Sequence, residues 1–254
     1  MGVTQLPRGA IWSRPFAHRG LHDAGRPENG LTAFAAAIGH GFGIECDLQP
    51  ARDGTVMVFH DEDLERMTGH RAAIRDLTAP ELSRLRLKRG TDPIPTLRQL
   101  LDLTAGRVPL LIEIKDQSGD LSPEEDGFAE TVVAGLRGYD GPVALMSFNP
   151  GLAAAARRLR PDLPVGLVTC GFPRLEWPEV PAARRAHLRR IADFDAVGAG
   201  FISHDRRDLG NPAVQALKAR GVTVASWTIR SALQAAAAEA QGADILTFEG
   251  WLPG

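Results

Sequence analysis

Acidic side chains stand near the ends of two apolar segments of this sequence. Glu45 and Asp47 share one side of the first segment, and Glu113 shares one side of the second with Lys115, because alternate residues of a strand point the same way. Three carboxylates brought together would repel one another unless a cation lay between them. Hard carboxylate oxygens select Mg²⁺, Ca²⁺ or Mn²⁺. We therefore predict a divalent-cation site at Glu45, Asp47 and Glu113.

Two histidines and two other basic side chains accompany these carboxylates. His18 and Arg19 follow the first apolar run of the chain, and His60 follows the third. Imidazole titrates near neutrality, so paired histidines beside a cation suit general acid–base catalysis. Arginine contacts phosphate in a bidentate manner and lysine acts as a point charge, which predicts that Arg19 and Lys115 bind a phosphoryl group. The remaining histidines are interpreted as structural or surface groups: His22, His40, His70, His187 and His204.

Short apolar runs alternate with longer segments of helical spacing, which predicts a parallel sheet with helical crossovers. The nine runs are Arg14–His18, Gly43–Leu48, Thr55–His60, Pro109–Lys115, Val143–Phe148, Val165–Thr169, Ala196–Ile202, Val222–Thr228 and Ile245–Phe248. The six residues between the second and third runs are too few for a crossover. They end in Asp53-Gly54, a dipeptide typical of a hairpin turn.

The third run is therefore predicted to return antiparallel to the second, which would place His60 opposite Asp47. The other eight runs predict a (β/α)8 TIM barrel, and the less favoured alternative is an open doubly wound sheet. A barrel would gather the charged residues at the carboxyl ends of its strands, where barrel enzymes carry their active sites. We predict one domain over residues 1–254, with 62–95 as a small insertion over the barrel mouth.

Composition excludes several other classes of protein. Lys and Arg number 29 against 31 Asp and Glu, and a net charge of −2 gives no reason to expect a nucleic acid or an anionic membrane as partner. Cys46 and Cys170 cannot form a disulfide framework, and no apolar run approaches the roughly 18 residues of a membrane span. Residues 1–14 lack the apolar core of a secretory signal. We expect a cytoplasmic protein without a stable membrane anchor, and its oligomeric state is left open.

Several short motifs follow one another in a fixed order along the chain. They are Ala17-His18-Arg19-Gly20, Pro27-Glu28-Asn29, Glu45-Cys46-Asp47, His60-Asp61, Glu113-Ile114-Lys115, Ser147-Phe148 and Trp227-Thr228. Each motif alone is weak, but their order and spacing together resemble the glycerophosphodiester phosphodiesterase family over nearly the whole chain. The resemblance implies a barrel enzyme that hydrolyses glycerophosphodiesters to glycerol 3-phosphate and an alcohol.

The resemblance also implies a set of roles. It places one divalent cation, Mg²⁺ or Ca²⁺, at the three carboxylates, makes His18 and His60 the acid–base pair, and gives Glu28 and Asn29 supporting positions. In the family's proposed chemistry the glycerol 2-hydroxyl attacks phosphorus, one histidine removes its proton, and the other protonates the departing alcohol. Water then opens the cyclic phosphate. Which histidine plays which part is left open.

Three positions depart from the family's usual pattern. Gly30 stands where a Thr is common, Arg230 where an Asn is common, and Phe248-Glu249 where Thr-Asp is common. None of them is expected to touch the metal or acid–base residues. Arg230 adds a positive charge near the mouth, which suggests a substrate with a second anionic group. Trp227 fits a pocket wall and a core position equally well.

Two alternative functions stay open. A lysophospholipase D or sphingomyelinase D-like enzyme also uses two histidines and a divalent ion, but it acts at lipid surfaces and would benefit from an aromatic rim, whereas aromatic residues make up only 6% of this chain. A catalytically silent barrel that binds glycerophosphoryl compounds would have lost a histidine or a carboxylate, and none is lost. The leaving alcohol is left open among choline, ethanolamine, glycerol and inositol.

Overall fold

The computed structural model describes residues 4–6, 12–122 and 127–253. The strands in these ranges are β1 (Phe16–Ala17), β2 (Gly43–Pro50), β3 (Val56–Val58), β4 (Leu110–Ile114), β5 (Val143–Ser147), β6 (Val165–Thr169), β7 (Phe201–Asp205), β8 (Thr223–Ile229) and β9 (Ile245–Phe248). The α-helices are α1 (Leu31–His40), α2 (Glu65–Thr68), α3 (Ala79–Leu82), α4 (Leu97–Thr104), α5 (Phe128–Gly135), α6 (Pro150–Leu159), α7 (Ala182–Arg189), α8 (Phe194–Val197), α9 (Pro212–Ala219) and α10 (Ala232–Ala240). Two short 3₁₀ turns span Ile74–Asp76 and Arg206–Asp208.

Eight parallel strands close into a barrel. β1 pairs with β2 on one side and with β9 on the other, and the remaining neighbours run β2, β4, β5, β6, β7, β8 and β9. The register places Asp47 of β2 beside Glu113 of β4. The (β/α)8 prediction is therefore confirmed, and the doubly wound alternative is wrong because the two edges of the sheet meet.

β3 lies outside the barrel as the returning arm of a hairpin with β2. The arms are antiparallel and pair Leu48 with Val58, which confirms the hairpin. The predicted pairing of Asp47 with His60 is wrong by one position, because the amide of Phe59 donates to the carbonyl of Asp47 at 2.9 Å. His60 follows the paired segment and reaches the same site from the loop that begins there.

One strand begins later than the sequence predicts. The apolar run Ala196–Ile202 starts inside helix α8, which ends at Val197 and is capped by Gly198 with a φ of 67°. Strand β7 begins at Phe201 and includes His204, whose Nδ1 lies 2.7 Å from the hydroxyl oxygen of Thr169 in the buried interior. Hydrophobicity did not mark this strand end because its buried side chains are polar. The structural interpretation of His204 fits this position.

Two apolar layers position the strand ends. One lies between the strands and the surrounding helices and contains Ile44, Cys46 and Ile112. The other fills the barrel interior and contains Leu111 and Phe201. Because neighbours along a strand alternate between faces, the acidic side chains of β2 and β4 point to the interior, directly above its apolar filling.

The insertion packs around a small apolar core of its own. α2, α3 and the turn between them enclose Leu64, Ile74 and Leu82 together with Met57 and Phe59 from the returning hairpin arm. This shared core attaches the insertion to the hairpin that precedes His60. The single domain over residues 1–254 stays a prediction, since residues 1–3, 7–11, 123–126 and 254 lie outside the described ranges. Across the described ranges, no helix is long and apolar enough to cross a membrane.

Candidate active site

The predicted functional side chains meet at the carboxyl ends of the barrel strands. They line a cavity of about 60 Å³ together with Trp227: His18, Arg19, Glu45, Asp47, His60, Glu113 and Lys115. A wider cavity of about 570 Å³ shares His60, Lys115 and Trp227 with it and extends toward Trp177. The geometry therefore offers a narrow polar cavity beside a larger space for the rest of a ligand.

Three buried carboxylates form the acidic side of the narrow cavity. Glu45, Asp47 and Glu113 are 3%, 1% and 6% exposed, and one oxygen of each lies within 4.8 Å of the other two. Lys115 Nζ lies 2.8 Å from Asp47 Oδ1 and 2.7 Å from Glu113 Oε1. Glu45 instead accepts the backbone amide of Arg19 at 3.0 Å.

The charge at Glu45 is incompletely compensated by the protein. Burial raises the pKa of Glu45 well above its ordinary value, and the neighbouring charges of Asp47 and Glu113 raise it further. A buried cluster of carboxylate oxygens is the donor set of a hard divalent cation. The residues present therefore fit the cation that the sequence predicted.

Each site histidine is held by a carboxylate through its Nδ1 atom. His18 Nδ1 lies 2.6 Å from Glu249 Oε2, and His60 Nδ1 lies 2.7 Å from Asp61 Oδ1. On the other side of its ring, His18 Nε2 lies 4.0 Å from Glu45 Oε2. A carboxylate at Nδ1 favours the tautomer with the proton on that nitrogen, which leaves Nε2 as the acceptor.

Burial keeps both imidazoles neutral near pH 7. It lowers the pKa of His18 despite the opposing hydrogen bond with Glu249. Burial and then the charge of Lys115 lower the pKa of His60 to about 4. A neutral imidazole offers a lone pair, so both histidines are in the form that accepts a proton.

Arg19 lies between the carboxylates and a supporting layer of charges. Its guanidinium is 2.7 Å from Glu28 Oε1, and Glu28 also pairs with Arg66 at 2.7 Å. Arg19 Nε is buried and makes no hydrogen bond among the described residues, and it lies 3.4 Å from Asp47 Oδ2, so Arg19 also pairs with a member of the carboxylate set. Asn29 Nδ2 donates to Asp47 Oδ2 at 2.9 Å, which places Glu28 and Asn29 directly behind the predicted site.

Trp227 is both a pocket wall and a packed interior residue, the two alternatives that the sequence left open. It lines the two cavities, and its indole nitrogen donates to the carbonyl of Ser203 at 3.0 Å. Its ring meets Phe148 edge-on with centroids 5.8 Å apart, and Phe148 lies 4.8 Å from the Trp177 ring. The aromatic group forms one wall of the wider cavity.

Comparison with known sequences decides the family. The sequence profile of the glycerophosphoryl diester phosphodiesterase family matches residues 18–249. The chain belongs to this family. It is therefore an enzyme of the phosphodiesterase class, as the sequence predicted.

Individual relatives agree with this assignment. A provisionally named glycerophosphodiester phosphodiesterase of Bacillus subtilis is 26% identical over 237 residues, which are 90% of each chain. The glycerophosphodiester phosphodiesterase of Caldanaerobacter subterraneus is 32% identical over 167 residues, 61% of this chain and 67% of the relative.

Solved structures show the same barrel. An Oleispira antarctica phosphodiesterase, determined in complex with the product sn-glycerol-3-phosphate, aligns over 92% of both chains with a TM-score of 0.75 and 23% identity. The glycerophosphodiester phosphodiesterase of Thermotoga maritima aligns over 96% of both chains with a TM-score of 0.70 and 22% identity. At these low sequence identities, the comparison shows a shared fold.

One unusual position of this phosphodiesterase does reach the predicted acid–base residues. Glu249 contacts His18, so the expectation that no departure touches them is wrong. Arg230 is not brought into either cavity. Its Nε donates to Glu249 Oε1 at 2.7 Å, and its side chain is 55% exposed. Since a carboxylate already binds its guanidinium, the position of Arg230 does not support a second anionic group on the substrate.

Local packing explains why a glycine occupies position 30. A Cβ atom at this position would lie 2.7 Å from Asp92 Oδ2 and 2.9 Å from Pro27 Cγ. The carboxylate of Asp92 accepts the amide and the hydroxyl of Thr32 at 2.8 and 2.7 Å. The insertion thus holds the start of α1 through Asp92, and this contact leaves no room for the larger residue common in the family.

Sequence reasoning missed the carboxylate partners and one wall of the site. Asp61 is adjacent to His60 in the sequence, so that adjacency was an available signal. Glu249 and Trp177 lie on segments far from the other site residues along the chain. Closure of the barrel through β1 and β9 brings Glu249 to His18, and Trp177 reaches the site by packing against Phe148. No local pattern marks either contact.

Proposed function

We propose that this enzyme hydrolyses glycerophosphodiesters to glycerol 3-phosphate and an alcohol, with one divalent cation, Mg²⁺ or Ca²⁺. The observation that carries the proposal is that two carboxylate-held histidines and a buried set of three carboxylates line one cavity. The solved Oleispira antarctica relative holds sn-glycerol-3-phosphate, which is the product expected of this reaction.

Glu45, Asp47 and Glu113 would hold the cation. Bound there, it would act as a Lewis acid that polarises the phosphoryl group and offsets developing negative charge. Asn29 supports this set by its hydrogen bond to Asp47. Glu28 keeps Arg19 in place from the opposite side.

Arg19 and Lys115 bind the phosphate in this proposal. The buried Nε of Arg19 makes no hydrogen bond among the described residues, although it lies 3.4 Å from Asp47 Oδ2, and the planar guanidinium matches the oxygens of a phosphodiester. Lys115 lies on the same cavity and supplies a positive charge beside the carboxylates. Both groups stabilise the additional negative charge of a five-coordinate phosphorus.

The histidines transfer the protons. One imidazole removes the proton of the glycerol 2-hydroxyl as its oxygen bonds to phosphorus. The other must first take up a proton from solvent, which the negative charge of the bound phosphodiester favours, and then donates that proton to the alcohol oxygen as its bond to phosphorus breaks. Glu249 and Asp61 accept the Nδ1–H groups and stabilise whichever imidazolium forms. In the second half, water attacks the cyclic phosphate and the two histidines exchange roles.

Product release from a defined panel tests the proposal. Glycerophosphocholine, glycerophosphoethanolamine, glycerophosphoglycerol and glycerophosphoinositol are incubated with Mg²⁺ or Ca²⁺, and glycerol 3-phosphate is measured. We expect His18→Ala and His60→Ala each to lower kcat by about 10²- to 10⁴-fold. A chelator should abolish release and added cation should restore it.

His187→Ala is the matched control, because His187 also pairs with a carboxylate, that of Asp193 at 2.9 Å, on a helix outside both cavities. Its kcat should equal that of the wild type. Undiminished release by folded His18→Ala protein would overturn the acid–base assignment. Release in the presence of chelator would overturn the metal requirement.

A further inference from the structure

A second group of metal-binding side chains lies behind His18. One ligand atom from each of His18, His22 and Glu249 lies within 4.8 Å of the other two. Glu249 Oε2 is the central atom, 2.6 Å from His18 Nδ1 and 3.7 Å from His22 Nε2. This group shares no residue with the three buried carboxylates, and its donors are two imidazole nitrogens and one carboxylate oxygen.

His22 is the unexplained member of this group. Its Nε2 atom is buried and has no hydrogen-bond partner within the part of the chain that the structure describes. The separation of 3.7 Å from Glu249 Oε2 is too long for a hydrogen bond. Buried polar atoms normally have a hydrogen-bond partner. The nitrogen of His22 has none among the described residues and faces the carboxylate of Glu249, which is the arrangement expected when a ligand binds between the two.

One member of the group, His22, borders a space outside the substrate cavity. His22 lines an open cavity of about 890 Å³ that His40, Arg89 and Trp251 also border, and none of the three buried carboxylates lines it. Arg230 binds the other oxygen of Glu249, Oε1, which leaves Oε2 directed toward the two imidazoles. The group therefore borders a space outside the substrate cavity at His22, whereas His18 lines the substrate cavity itself.

We propose that His18, His22 and Glu249 form an inhibitory binding site for a transition-metal ion such as Zn²⁺. Two imidazoles and one carboxylate with an open fourth position are a common zinc donor set. Mg²⁺ and Ca²⁺ prefer oxygen donors alone, so the two sites of this enzyme select different ions.

Binding is a simple exchange of ligands. The ring of His18 changes tautomer, its proton moving from Nδ1 to Nε2 by exchange with solvent. Bonds then form from the metal to His18 Nδ1, His22 Nε2 and Glu249 Oε2 as the ion releases the water molecules that occupied those positions. The His18–Glu249 hydrogen bond of 2.6 Å is thereby replaced by a wider, metal-bridged spacing. This change moves the His18 ring from its place beside Glu45 and so stops proton transfer. The inhibitory effect rests on the proposed function, whereas the binding site does not.

Direct binding is the first test. Co²⁺ serves as the visible-absorption probe for Zn²⁺, with Mg²⁺ in large excess to occupy the carboxylate set. We expect the wild type to bind one equivalent with absorption typical of nitrogen ligands. His22→Ala and the polar variant His22→Gln should each weaken binding at least about tenfold, and His187→Ala should bind as the wild type does.

Inhibition is the second test. With Mg²⁺ saturating, Zn²⁺ should inhibit the wild-type phosphodiesterase, and its inhibition constant should rise at least about tenfold in the His22 variants. Their activity without zinc should stay near that of the wild type.

Equal Co²⁺ affinity in the wild type and a folded His22 variant would overturn the site, as would the lack of a bound equivalent under excess Mg²⁺. Binding without inhibition would overturn the inhibitory role alone. If no substrate is hydrolysed, the proposed function fails while the Co²⁺ titration still decides the site.

Discussion

Glu249 connects the imidazole of His18, a proposed acid–base group, with an exposed arginine. Its Oε2 lies 2.6 Å from His18 Nδ1, and its Oε1 accepts from Arg230. Burial opposes ionisation of Glu249, but the hydrogen bond with His18, together with the neighbouring His22 and Arg230, outweighs it and holds the pKa of this carboxyl well below its usual range. The charged carboxylate therefore orients His18 and stabilises its protonated form.

Neutralising Glu249 should slow catalysis without weakening substrate binding. We expect Glu249→Gln to lower kcat by about 10- to 100-fold with little change in KM, since an amide cannot stabilise an imidazolium. Arg230→Asn is the control, because it removes only the exposed partner of the same carboxylate. Its kcat and its preference between neutral and anionic substrates should match the wild type within about threefold. Equal losses in the two variants would contradict this assignment.

Glu28 makes the stability of the enzyme depend on pH. Burial opposes its ionisation, but Arg66 and Arg19 lower the pKa from 4.5 to about 2. Because the pKa is lowered on folding, the stabilisation is fully present above about pH 4.5 and is lost as the pH falls toward 2. We expect Glu28→Gln to reduce the free energy of unfolding by about 1–2 kcal/mol at pH 7 and to flatten its decline below pH 4.5.

Urea denaturation at a series of pH values measures this effect. Glu65→Gln is the control, because Glu65 pairs with Arg71 on the surface and both side chains are more than half exposed. That variant should change the free energy of unfolding by less than about 0.5 kcal/mol. Parallel pH curves for Glu28→Gln and the wild type would rule out this role of Glu28.

At the scale of the elements, strands β6 and β7 pack closely because position 166 on β6 is a glycine. A Cβ atom at Gly166 of β6 would lie 2.5 Å from the ring of Phe201 on β7, and that ring is fully buried. Phe201 belongs to the apolar filling of the barrel interior. The ring of Phe201 on β7 therefore fills the space that a side chain at position 166 of β6 would need.

Adding a methyl group at Gly166 should destabilise the barrel. We expect Gly166→Ala to lower the free energy of unfolding by about 1–3 kcal/mol, because the buried ring must shift. Gly39→Ala in α1 is the matched control, since no atom lies within 4 Å of the added carbon. It should raise stability by up to about 1 kcal/mol. Urea denaturation separates the two, and equal stabilities would show that the Phe201 ring moves freely.

At the scale of the whole molecule, the insertion is attached to the active site through one apolar core. Leu82 is fully buried in that core. We expect Leu82→Ala to lower the free energy of unfolding by about 2–5 kcal/mol. Because Met57 and Phe59 of the hairpin share the core, the variant should also lower kcat through His60.

Denaturation and product release together check this coupling. Leu233→Ala is the control, because Leu233 is 81% exposed on α10, and its effect on stability should stay within about 0.5 kcal/mol. A destabilised Leu82→Ala protein with wild-type kcat would show that His60 is held independently of the insertion.

The sequence by itself determined the barrel and the acidic set at its mouth. Alternation along a strand is a local property, so it predicted that Glu45 and Asp47 share a face and that Glu113 shares one with Lys115. Crossover connections make neighbouring strands parallel, which brings these faces to one end. The observed pairing of Asp47 with Glu113 follows from that arrangement.

Tertiary structure alone decided which groups complete the site. Glu249 reaches His18 across 231 residues of chain, and the pairing of β1 with β9 brings them together. The same closure sets Glu249 beside His22 and keeps Arg230 outside the cavities. Local periodicity carries no information about such distant pairs, because their separation depends on how the packed barrel closes rather than on the conformation of either segment.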